Sequence, residues 1–146
     1  MTESMRDQVI GAWKLISYQT TDASGQVVYP LGEDAKGFIL YTPDGYMSAQ
    51  IMAQGRPAYE SGDLHKGTPD EMAQAAEGYL AYSGRYEIDE DKGKLTHHMD
   101  VSMNPTWLGQ SQPRVAKIKD GKLKIYNGLK PEDQLVWKRA EDNSQA

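Results

Sequence analysis

His97, Arg114, Tyr82 and Tyr86 are the residues of this chain whose types and spacing could do chemistry. The run Leu95–Met103 alternates with the period of a strand. That period puts Leu95, His97, Met99, Val101 and Met103 on one apolar face, and Thr96, His98, Asp100 and Ser102 on a face that suits water. An imidazole on an apolar face is costly to bury without a partner, so His97 is either satisfied within the core or lines a cavity and meets a ligand. A neutral imidazole there can act as general base or proton shuttle. Arg114 shares a strand face with Gln112, Ala116 and Ile118. An inward guanidinium can clamp a carboxylate, enolate or phenolate, or stabilise developing negative charge; its structural use is to tie loops together. Tyr82, Gly84 and Tyr86 lie two apart, so both rings leave one face if the strand has begun by Tyr82. Such a set around an apolar cavity suits enolisation, isomerisation, cyclisation or dehydration of a small carbonyl compound. His97 would be the base, and Arg114 and Tyr82 would stabilise an oxyanion.

The residues read as ligand contacts are Tyr41, Tyr46, Ser48 and Gln50 on the early strands, with Tyr86, Met99, Trp107 and Gln112 beyond the middle of the chain. Over 46–52 two faces compete. Tyr46, Ser48, Gln50 and Met52 would give a polar-lined pocket, and Met47, Ala49 and Ile51 a more apolar one; the pattern leaves both open. His97 and His98 are adjacent on a strand, point to opposite faces and cannot form a local metal pair. His65 with Glu60 and Asp63 reads as a solvated loop cluster, so no metal site is expected. No GxSxG, P-loop or dinucleotide fingerprint occurs, and no cofactor is expected.

The elements that must position these groups are mostly strands. Periodicity and turn signals place them at about 10–21, 27–29, 37–42, 46–53, 84–89, 95–103, 112–119, 122–126 and 134–140. Pro43-Asp44-Gly45, Asp91-Lys92-Gly93 and Asp120-Gly121 read as hairpin turns. Between them, 54–67 is a loop, and Thr68-Pro69-Asp70-Glu71 opens a helix with N-cap, proline and capping box, expected to end near Tyr82. That loop and helix would serve as a lid or a plug. About nine short strands with one inserted helix predict a mainly β, antiparallel barrel; a sandwich is the alternative. Barrels of about eight strands either fill their interior or enclose one small ligand.

At 146 residues the chain reads as one domain, 1–146, with loose ends at 1–8 and 141–146. A net charge of −5 offers no basic stripe for phosphates, which argues against nucleic acid. The absence of cysteine excludes disulfides and thiolate chemistry, and fits a reducing cytoplasm. No apolar run is long enough to span a bilayer. Nine Tyr and three Trp against one Phe suit a wet or ligand-filled interior, though any one tyrosine is better read as half-exposed on a strand.

Gly11-Ala12-Trp13 on the first strand and Arg139 on the last resemble the lipocalin pattern, in which the arginine lies over the tryptophan ring and closes the barrel floor. The series Gly37–Gln50, with Tyr82–Tyr86, His97, Pro105–Gly109, Gln112 and Arg114, is similar to the small lipocalin-like domain family from Ile10 to Arg139. That resemblance implies a calycin-type barrel of about 8–9 strands holding a small apolar molecule. The chain departs from secreted lipocalins in lacking their disulfide and C-terminal helix and in carrying its helix mid-chain. The leading expectation is a cytoplasmic barrel binding a small, largely apolar organic molecule, with no nucleic-acid or membrane partner and with homodimer pairing through an exposed strand allowed. The rivals are a cofactor-independent isomerase, cyclase or lyase in the same cavity, and a filled barrel that acts through its outer face.

Overall fold

Strands that are apolar on one face only can bury those faces together by closing into a ring. The computed structural model describes residues 4–142. In it, β1 (Gly11–Thr21), β3 (Lys36–Tyr41), β4 (Tyr46–Met52), β5 (Tyr79–Asp89), β6 (Lys94–His98), β8 (Ser111–Lys119), β9 (Lys122–Asn127) and β10 (Lys130–Arg139) close in that order into an eight-stranded antiparallel barrel. β10 pairs back onto β1, with Leu15 opposite Trp137, so no edge is left along the ring. Two short strands lie off it: β2 (Val27–Val28) pairs with the end of β1, and β7 (Val101–Ser102) with β5. The mid-chain helix α2 (Pro69–Glu77) has the expected capping box at Thr68 and Glu71, and a short helix α1 (Met5–Val9) precedes β1. Of the ends expected to be loose, residues 1–3 and 143–146 lie outside the described residues. No helix among the described residues is long and apolar enough to cross a membrane.

One end of the barrel is closed by α1. Glu90 accepts from the backbone N–H groups of Met5 and Arg6 at 2.8 and 3.1 Å, satisfying two donors that a helix start leaves free. Val9 is fully buried, and its carbonyl accepts from Trp13 Nε1 at 2.8 Å. Arg139 lies 3.9 Å from the Trp13 ring centroid and donates to the carbonyls of Ile10 and Gln8, so the pairing suggested by the sequence is formed. Gly11 is required beneath it: its φ is +119°, and a Cβ there would sit 2.8 Å from the guanidinium. Arg139→Ala removes the ring contact and both charged hydrogen bonds. It is expected to cost about 2–3 kcal/mol, read as a lower urea midpoint with an unchanged slope.

Two local departures from regular alternation decide what reaches the interior. In β1, Leu15 opposes Trp137 but Ser17 opposes Val136, so Ile16 is an extra, bulged residue. Trp13 and Leu15 pack inward before it, and Tyr18 and Thr20 face the interior after it. The expected single strand 95–103 is broken at Asp100. Asp100 N–H donates to His98 O at 2.9 Å, and its carboxylate accepts from the Arg85 side chain (3.0 Å, twice) and backbone N–H (3.1 Å). Leu95, His97 and Met99 are buried as expected, but Val101 and Met103 are 67% and 41% exposed. The captured Asp100 turns the chain and ends the alternation. That capture also holds the Asp100 carboxyl down to about 2.

Candidate functional site

The barrel encloses a cavity of about 240 Å³. Its apolar wall is Ile39 from β3, Ala49 and Ile51 from β4, Leu80 from β5, Ile125 from β9, and Leu135 and Trp137 from β10. Its polar groups are Tyr18 and Thr20 from β1, Tyr82 from β5, His97 from β6, Arg114 from β8, Asn127 from β9 and Asp133 from β10. Trp107, in the 3₁₀ turn Pro105–Trp107, packs edge-on against Tyr82 with centroids 5.6 Å apart. The end away from α1 is the open one: the Asp133 side chain there is 34% exposed, accepts from the Thr20 hydroxyl and pairs with Lys130 at 3.5 Å.

Three of the sequence's four chemical candidates, His97, Arg114 and Tyr82, meet at this cavity, joined by Trp107. α2 ends at Glu77, so β5 is extended by Tyr82 and the rings of Tyr82 and Tyr86 leave the same face, as the spacing required. Tyr41 and Tyr86 are buried behind His97 and do not border the cavity; Tyr86 donates to Thr42 O at 2.6 Å. Met99 is 1% exposed but is packed where Gly109 N–H meets its carbonyl, away from the cavity. Gln112 does not border the cavity and donates to Gln110 Oε1 at 2.9 Å.

Tyr46, Ser48 and Gln50 are a correction. They point out of the barrel because β4 buries Met47, Ala49 and Ile51, the apolar alternative, and its register follows that larger transfer free energy. Tyr46 is 54% exposed, Ser48 accepts from the Ser83 hydroxyl at 2.8 Å, and Gln50 accepts from the Tyr79 hydroxyl. The loop 54–67 and α2 do not cover the cavity either: none of residues 53–78 borders it, and α2 has no fully buried residue. Trp107, not the helix, supplies the wall nearest Tyr82. Tyr18, Thr20, Asn127 and Asp133 carry no signal in the sequence: the β1 bulge turns the first two inward, β9 runs to Asn127, one residue past its expected end, and β10 starts early enough to include Asp133.

Both ring nitrogens of His97 are engaged. Nε2 lies 2.7 Å from the Tyr41 hydroxyl and Nδ1 3.1 Å from the Tyr82 hydroxyl. Burial, with Arg114 and then His98 adding to it, pushes the imidazole down to about 3, so it is neutral near pH 7. A neutral ring has one donor and one acceptor. Tyr41 is 2% exposed, and its hydroxyl has no acceptor among the described residues other than His97 Nε2. It must therefore donate there, which places the His97 proton on Nδ1, donating to Tyr82 Oη. The Tyr82 proton is left over. The relay Tyr41 → His97 → Tyr82 thus delivers a hydroxyl donor to the cavity. Tyr82 does not ionise near neutrality: burial pushes it up to about 12 although Arg114 pulls the other way. The Trp137 Nε1–H is buried without a partner among the described residues and has no surface open to the cavity.

The arrangement is a largely apolar volume with neutral His97 and Tyr82 in its wall, the Arg114 guanidinium near enough to act on both, and Asp133 at its open end. The lipocalin-like domain profile matches residues 10–141. The 4'-hydroxy-3'-methoxypropiophenone carrier protein ppsC of Aspergillus oryzae is 32% identical over 106 residues, which span 64% of this chain and 96% of that protein. Among solved structures, an uncharacterized protein from Bacteroides eggerthii superposes with a TM-score of 0.46 at 15% identity, covering 90% of this chain and 99% of its own. A point mutant of the fluorescent protein UnaG gives a TM-score of 0.41 at 18% identity, covering 94% and 100%.

Proposed function

The chain belongs to the lipocalin-like domain family, and on that footing we propose that it binds a small, largely apolar organic molecule in its central cavity and that this molecule is an aromatic ketone or a close chemical relative. The observation that carries the reading is the relay ending on Tyr82, which offers a neutral hydroxyl donor inside an apolar enclosure. A carbonyl oxygen is the acceptor such a neutral donor suits. The volume supports a small occupant: about 240 Å³ lies below the ~300 Å³ at which sites for drug-sized ligands begin. The carrier protein to which the chain is similar is named for a propiophenone bearing hydroxy and methoxy groups, a single ring with a short acyl chain. The cysteine-free composition favours a cytoplasmic address, which is part of the same proposal.

The catalytic alternative, with His97 as general base on a small carbonyl compound, has less support. Both its nitrogens are occupied, and burial holds its basicity far below that of a useful base near pH 7. Titration calorimetry with 4'-hydroxy-3'-methoxypropiophenone tests the binding reading. Saturable one-to-one binding is expected. Ala49→Phe, which fills the cavity, should abolish it, while Phe38→Ala on the outer face should leave it intact. No binding, or binding that survives Ala49→Phe in a folded protein, would overturn the reading.

A further inference from the structure

We infer that the ligand is longer than the cavity: its ring is held inside, and an apolar chain leaves the barrel sideways between β8 and the turn at 127–130, to lie along Pro113, Val115 and Leu129. The inference rests on the aromatic-ketone reading and deepens it, naming aryl ketones with an extended alkyl chain as the class taken.

The outlet follows from where the β8–β9 ladder stops. Its last pair toward the open end is Val115–Tyr126, and Arg114–Asn127, the next in register, does not form. On the β6 side, Ala116 N–H donates to Gly93 O at 3.0 Å. Direction alternates along an antiparallel strand, so Arg114 and Gln112 also address β6, whereas positions 115 and 113 address β9. Position 113 is a proline and has no N–H to give there. Its carbonyl is taken instead by Arg114 Nη1, which donates at 3.0 Å. β9 ends at Asn127, whose Oδ1 accepts from Leu129 N–H at 2.9 Å and holds the turn into β10. Residues 111–113 are thus paired with β6 alone, and the wall opens on their other side.

The cavity and the outer surface meet at that opening. Arg114 and Asn127 border the cavity, and the same two residues border a groove outside it with Pro113, Val115 and Leu129. What divides the two volumes is a pair of side chains, not a ladder of backbone. Arg114 offers a passing chain its apolar stem, because Nη1 is held at Pro113 O. Beyond it the turn lies close to β8: a Cβ on Gly128 would stand 3.4 Å from Val115 Cγ2. Leu129, next along, is 98% exposed, an apolar side chain left in water at the groove. An apolar groove joined to a cavity suits a chain that starts inside. The rim at the open end suits it less, since a chain there would have to desolvate the Asp133–Lys130 ion pair.

The test is a series of phenyl ketones with a growing unbranched chain: propiophenone, hexanophenone and octanophenone, each titrated into the whole protein. Each methylene half-covered by the groove should raise affinity about two-fold, so octanophenone should bind about thirty-fold more tightly than propiophenone. Leu129→Asp should lose most of that gain and leave propiophenone affinity unchanged. Leu64→Asp, at a position 87% exposed on the loop 54–67, should lose nothing. In a ¹³C–¹H methyl spectrum of unmutated protein, the signals of Val115 and Leu129 should move with octanophenone and stay put with propiophenone. Octanophenone that binds no better than propiophenone, a gain that survives Leu129→Asp, or Val115 and Leu129 signals that stay put with octanophenone would overturn the outlet and leave the binding reading standing. Failure of all three ketones to bind sinks both.

Discussion

Between pH 7.5 and 4.5 the barrel is expected to lose about 2–3 kcal/mol of stability through His97 alone. The sign follows from where protons bind. In the unfolded chain His97 takes a proton below its ordinary value near 6.5, whereas burial holds the folded imidazole neutral down to about 3. Over that window the unfolded state binds more protons. The stabilisation is therefore complete above pH 6.5 and is lost as pH falls through the interval to about 3. Asp100, held down to about 2 by Arg85, shifts stability the same way only below its ordinary range near 3.8, so its contribution falls in a lower window. Urea unfolding at several pH values, with ring ¹⁵N shifts of the histidines, checks this. His97 should remain neutral at pH 5. His97→Gln should be less stable at pH 7.5 but show a flatter pH dependence, which general acid lability would not produce. A flat stability profile between pH 7 and 4.5, or a His97 that titrates near 6, would contradict the relay geometry.

Gly84→Ala is expected to cost at least about 3 kcal/mol and to abolish ligand binding. A Cβ at that position would lie 2.0 Å from the His98 carbonyl oxygen, 2.7 Å from Asp100 Oδ2 and 2.9 Å from Asp100 N. Two of these are backbone atoms of the segment that turns at Asp100, so the methyl can be accommodated only by pushing β6 away from β5. That movement carries His97 off Tyr82, two residues from the substitution, and breaks the relay. Gly25→Ala provides the contrast. Unlike Gly84 it has a positive φ, +85°, but nothing lies within 4 Å, and only the backbone penalty of about 1–2 kcal/mol is expected. Denaturant midpoints of the two variants separate steric exclusion from conformational strain.

The barrel was legible in the sequence because each long strand carries its own evidence: alternation within 36–41 and 94–98, and turn residues at Pro43-Asp44-Gly45 and Asp120-Gly121. The inward histidine was legible for the same reason. What alternation does not record is where it breaks. The bulge at Ile16 changes which residues of β1 face inward, bringing in Tyr18 and Thr20 in place of Ser17 and Gln19. The turn at Asp100 depends on Arg85, fifteen residues away, and reverses the expected placement of Val101 and Met103. On β4 the residue types pulled two ways. A polar-lined pocket favoured Tyr46, Ser48 and Gln50, but the barrel buries the apolar face and draws its polarity from His97, Tyr82 and Arg114 on other strands. The partners of His97 are likewise a tertiary fact: Tyr41 comes from 56 residues away. The helix start was written plainly in Thr68–Glu71, whereas its end at Glu77 was not, because Gly78 lets β5 begin at once and the ladder with β4 claims Tyr79 through Tyr82.

The most direct measurement of the central claim is a set of nuclear Overhauser contacts between bound 4'-hydroxy-3'-methoxypropiophenone and isotope-labelled protein. The account expects contacts to the methyl groups of Ile39, Ala49, Ile51 and Leu135 and to the Tyr82 ring, all on cavity walls. Contacts instead to Phe38, Leu40 or Tyr46, the exposed apolar residues on the outside of β3 and β4, would contradict it and would mean that the interior is not where this protein meets its ligand.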